Sequence, residues 1–178
     1  MHRNYLIELL NSYHPSNIQE NIIKKEVFEF INSNPDCFER SLEIGHVTAS
    51  SWLINQSGSH ALLMHHRKIG KWLQLGGHCD GDPDVLRVAI KEAKEESGFE
   101  DIQCVRSDIF DIDIHLIPEN HNEKTHYHYD IRFLLQCKKE EKLVQNRESK
   151  GFMWIGKKND LPTDNRSIIR MFNKWINL

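Results

Sequence analysis

The chain has no apolar run of membrane-spanning length, and its opening, with Glu8 and Asn11 set among leucines, lacks the pattern of a secretory leader. There is no run of lysine and arginine and the net charge is −3, which argues against a duplex nucleic-acid surface or an anionic membrane as partner. Cysteine is sparse. Cys37, Cys79, Cys104 and Cys137 stand far apart without a C-x-x-C pair, so neither a disulfide framework nor a structural zinc site is expected, and the expected compartment is the reducing cytoplasm. Internal repeats and low-complexity tracts are missing as well. What remains is 178 residues with an apolar fraction of 39%, enough for one buried core.

The stretch that organises the rest runs from Gly76 to Phe99, a glycine turn feeding a bounded helix. Asp82 is a suitable N-cap, Pro83 fits the first helical position, and Gly98 stands just past the last turn. On the helix between them, Val85, Leu86, Ala89, Ile90 and Ala93 form an apolar stripe, while Asp84, Arg87, Lys91 and Lys94 share the opposite face. Glu92 and Glu96 fall on the edge of the apolar stripe with Glu95 beside them. Like charges at this spacing repel, and partial burial raises the cost. A hard divalent cation removes the objection, because Mg²⁺ takes carboxylate oxygens and is completed by water and substrate phosphates. The plainer alternative is a set of surface acids in pairs such as Lys91 with Glu95. Glycine at 76 and 77 also lets a backbone carbonyl approach a cation or phosphate.

These residues resemble the signature of the Nudix hydrolase family, G-x5-E-x7-R-E-U-x-E-E-x-G-U with U a bulky apolar residue. Gly77, Glu92, Glu95, Glu96, Gly98 and Phe99 stand at the required spacing. The departures are Pro83 at the first glutamate, Lys91 at the arginine, a small Ala93, and Leu75 where a proline is usual before the glycines. Lys91 keeps the charge but loses the planar fork that grips a carboxylate bidentately. The resemblance spans about Ser51 to Trp154. It implies an α/β class, an α/β/α sandwich around a mixed sheet, with 37–178 the hydrolase domain, while residues 1–36, outside the resemblance, read from their own pattern as a helical hairpin packed on the core. It further implies a cytoplasmic Mg²⁺-dependent enzyme, with Mn²⁺ as alternative, that cleaves a diphosphate linkage in a small nucleotide such as a nucleotide sugar or ADP-ribose. Glu92, Glu95 and Glu96 would be catalytic, and with the backbone of Gly77 they would hold the metal. Glu148 lies where some members carry a further glutamate, although a surface acid is the simpler reading.

Around this centre, two N-terminal helices are predicted up to Pro35, the second opened by Ser16 with Gln19 as a capping box. They read as packed scaffold, with an active-site lid or the arm of a homodimer as alternatives. Strands are predicted at 47–55, 60–66, 72–75, 109–117, 127–137 and 152–155, and a last helix carries Ile168, Ile169, Phe172, Trp175 and Ile176. In two strands an apolar row alternates with a polar one, Asp111, Asp113 and His115 in the first and His128, Asp130 and Arg132 in the second. Each is expected to be a wet face, either plain solvent or a cleft wall where Arg132, His128 and His78 bind substrate. The polar connection Pro118 to His128, with Asn120, His121 and Asn122, joins them. His65 and His66, adjacent on a strand, point apart and do not form a chelating pair. Two other function classes stay open: a nucleotide sensor that does not cleave, favoured by Pro83 and Lys91, and an isopentenyl diphosphate isomerase-like enzyme, which would need Cys79 as a reactive thiol.

Overall fold

Gly45–Ile54 is buried along its whole length, and the sheet is built outward from it. In the computed structural model, which describes residues 2–119, 124–139 and 142–178, the order is α1 (Asn4–Ser12), α2 (Ile18–Ser33), β1 (Gly45–Ile54), β2 (His60–His66), β3 (Trp72–Leu73), β4 (Leu75–His78), α3 (Val85–Ser97), β5 (Ile102–Cys104), β6 (Asp111–Ile117), β7 (His126–Cys137), β8 (Ser149–Gly156) and α4 (Arg166–Ile176). Asn120, His121 and Asn122 lie outside the described residues. Among those described, no helix is long and apolar enough to cross a membrane.

β1 and β7 run parallel from Gly45 opposite Tyr127 to Ile54 opposite Gln136. On its other edge β1 meets β4, with Thr48 opposite His78, and then β2 at Ile54. The far edge of β7 carries β6 and then β5, so both central strands divide their partners and the mixed sheet curls. Two apolar cores cover its faces. Val47, Ala49, Leu53, Ile131 and Phe133 pack with α3 through Val85, Ala89 and Ala93, and with α1 and α2 through Leu6, Leu10, Val27 and Phe30. Trp52, Ile54 and Leu134 on the reverse side pack with α4 through Ile168, Met171, Phe172 and Trp175. The layers are therefore helix, sheet, helix, as the resemblance implies.

Three local expectations shift. The N-cap of α2 is Asn17, whose Oδ1 accepts the Glu20 N–H at 2.9 Å, while Glu20 reaches back to accept the Ser16 N–H. α3 starts at Val85 with Asp84 as N-cap, because Asp82 Oδ1 is already taken by the N–H of Asp84 and the Arg87 guanidinium. The third is larger: the two polar rows are dry where Asp111, Asp130 and Arg132 lie, while Asp113, His115 and His128 keep partial exposure. Asp111, Asp130 and Arg132 are buried beneath α4, where Arg132 donates to all of Asp111, Asp113 and Asp130. Arg170 and Lys174 of α4 also reach Asp111, and Lys174 spans to Glu20 at the start of α2. Strand alternation tells which residues share a face but not what lies over it.

Candidate active site

β4 and α3 form the glutamate site together. Gly76, expected in a turn but paired with Ser50 as part of strand β4, donates its N–H to Glu96 Oε2 at 2.8 Å, which ties the carboxylate to the strand. A Cβ at Gly77 would overlap the Glu92 carboxylate, so glycine leaves room for that carboxylate to lie against the strand. Glu96 is 4% exposed, and burial pushes its carboxyl up to about 8; the Gly76 N–H opposes this, while the charges of Glu92, Glu148 and Glu95 reinforce it. Glu92 is raised for the same first reason, against the pull of Lys91. Lys91 Nζ sits 3.0 Å from Glu92 Oε1 and 3.3 Å from Glu95 Oε2, so a single ammonium takes the place of the guanidinium fork across both. Glu95 is the exposed member, and Glu148 stands exposed at the approach to β8. Four carboxylates with one lysine leave excess negative charge beside β4. The all-oxygen set, two of its members disfavoured as anions by burial, fits a hard divalent cation. Among the predicted site residues, Glu92, Glu95, Glu96 and Gly77 are thus brought together.

Arg132 is not part of this group. It is 2% exposed and its guanidinium is saturated by three aspartates and Ser167, so it does not face a substrate as expected. His78 and His128 do come together, but on the reverse of the strand from Glu92, since successive residues of β4 point to opposite faces. They join His46, which sequence reading missed because one histidine at a strand start has no telling spacing; only the pairing of His46 with His128 in the parallel register brings it in. Cys79 is 4% exposed in the core, and burial first, then the charges of Asp130 and Asp82, push its thiol up, so it is not a nucleophile.

No protein-family model and no curated protein matches the chain. Solved structures do. It is similar to a hydrolase of the NUDIX family from Clostridium perfringens, at 24% identity and a TM-score of 0.52 over 73% of this chain and 95% of that one. It is also similar to an Ap4A hydrolase from C. elegans, at 17% identity and a TM-score of 0.58 over 72% and 93%. An ADP-ribose pyrophosphatase from Streptococcus suis aligns at 18% identity and a TM-score of 0.51 over 74% and 89%. The fold of the chain is the Nudix fold.

Proposed function

We propose that the chain is a Nudix hydrolase that uses a divalent metal, Mg²⁺ or Mn²⁺, to cleave a diphosphate linkage in a nucleoside diphosphate derivative. The observation that carries this reading is that Glu92 and Glu96 lie against Gly76–Gly77 of β4, with Glu96 fixed by a backbone N–H and the charges of Glu95 and Glu148 near enough to raise its carboxyl. Glu92 and Glu96, with Glu95 and the Gly77 carbonyl, would hold the metal. When bound, such an ion neutralises diphosphate oxygens and lowers the pKa of an attacking water. The protein orients the site: Gly76 aims Glu96, and Lys91 holds Glu92 and Glu95 side by side. The proton of the attacking water passes to a carboxylate of the same cluster. A buried, inert Cys79 gives no support to an isomerase that needs a thiol.

The substrate is sought with a panel of nucleotide sugars, ADP-ribose, dinucleoside polyphosphates and nucleoside triphosphates, with Mg²⁺ or Mn²⁺ and product analysis. Metal-dependent release of two phosphorylated products from one member is expected. Binding without product across the panel would overturn hydrolysis and make the chain a nucleotide sensor.

A further inference from the structure

We propose that His46, His78 and His128 form a second metal site, for a zinc-class ion, on the face of the sheet turned away from the glutamates. Each comes from a different strand, β1, β4 and β7. One nitrogen from each lies within 4.8 Å of the others. The ring centroids make a nearly equilateral triangle with sides of 5.1, 4.8 and 4.9 Å. His46 is 2% exposed, while His78 and His128 are half-buried, so the triangle is open to solvent on one side. Nitrogens bound to tetrahedral zinc at about 2.0–2.1 Å stand roughly 3.3–3.4 Å apart, so small side-chain rotations close the triangle.

The chemistry of the surroundings favours such an ion over Mg²⁺. The donors are imidazoles, which suit zinc and its neighbours rather than a hard cation. His126 lies beside the triangle: its Nδ1–H donates to the Lys124 carbonyl at 2.7 Å, which leaves its Nε2 as an acceptor 3.2 Å from His128 Nε2. His128 then donates from Nε2 and presents Nδ1 as a lone pair, and a hydrogen bond of this kind fixes the tautomer of a metal-binding histidine. Burial first, and then His115, His78, His46 and His126, push His128 down to about 2, so it is a neutral base. Three imidazoles gathered this closely can each offer a nitrogen to one cation, which turns their crowding into attraction. An ion here would tie β4 to β1 and β7 one residue beyond Gly77.

This site goes beyond the hydrolase reading and is tested apart from it. The full chain is stripped of metal and titrated with Zn²⁺ against a chromophoric chelator, and with Co²⁺ as a spectroscopic probe. Expected are one ion per chain, a visible Co²⁺ spectrum of a low-coordinate nitrogen site, and a rise in Tm with Zn²⁺. The Glu92→Gln/Glu96→Gln protein should bind equally well. His78→Ala should abolish binding, and His126→Phe should weaken it about 10–100-fold. Imidazole ¹⁵N spectra of the unaltered chain, in which Zn²⁺ should shift three rings together, serve if a variant does not fold. Absence of binding, loss of binding with the glutamates, or Zn²⁺ binding that leaves those three rings unshifted overturns the proposal.

Discussion

Glu96 is the residue at which stability and activity oppose each other. In the metal-free protein its carboxyl is raised from 4.5 to about 8, so the folded chain holds a proton that the unfolded chain releases near neutral pH. That contribution is complete below 4.5 and is lost as pH rises through about 8. The metal-free Tm should therefore fall over this range, and Glu96→Gln should flatten the fall and raise Tm at its upper end. Metal binding near pH 7 should release a proton from wild type, read by calorimetry in buffers of different ionisation enthalpy, and less from Glu96→Gln. Turnover should drop by orders of magnitude in Glu92→Gln and Glu96→Gln and less in the exposed Glu95→Gln. Asp84→Asn, which keeps the N-cap, is the control and should do little. Parent-like rates with the same Mg²⁺ dependence in both folded glutamine variants would sink the assignment. Cys79→Ser, in the core, should stay within a few-fold of wild-type hydrolysis, and a collapse of activity with the fold intact would revive the thiol.

At the scale of the element, α3 was legible because its ends, its apolar stripe and its misplaced glutamates all speak locally. The sequence alone places its start two residues early because Asp82 and Asp84 both flank Pro83 and either could cap; only the hydrogen bonds decide. The polar row of β7 was misread for a different reason. Alternation assigned Asp130 and Arg132 to one face, but the charges that neutralise them come from β6 and α4, far away in sequence. β5, three residues long, carried too short a signal to be seen. On α3 itself, Lys91 bridges Glu92 and Glu95, so Lys91→Arg should keep or raise turnover and Lys91→Ala should lower it, with kcat measured under saturating Mg²⁺. Equal rates in all three proteins would mean that the helix orients its glutamates without help from position 91.

For the whole molecule, the question is whether residues 1–36 are a separable segment. They supply Leu6, Leu10, Ile23, Val27, Phe30 and Ile31 to the same core that holds β1 and α3, and the Phe30 ring stacks on Tyr129 at 3.7 Å. They also supply Glu20, fully buried, whose Oε2 accepts from Tyr13, the Ser16 N–H and Lys174. Lys174 in turn reaches the fully buried Asp111, so an ionic chain runs from α2 through α4 to Arg132 in the sheet. Removing Lys174 leaves the buried Glu20 without its cation, while Asp111 keeps Arg132 and Arg170, and Lys174→Met should cost about 3–5 kcal/mol in a urea melt. Removing residues 1–36 strips six large apolar side chains from the core, at roughly 1.5–3 kcal/mol each, a loss comparable to the whole of the roughly 5–15 kcal/mol that holds a typical domain folded. The 37–178 fragment should therefore show no cooperative thermal transition and should expose apolar surface to a dye, although every glutamate of the candidate site remains in it. A fragment that melts cooperatively near the wild-type Tm would mean that the helical hairpin is an attachment to the fold and not a wall of its core.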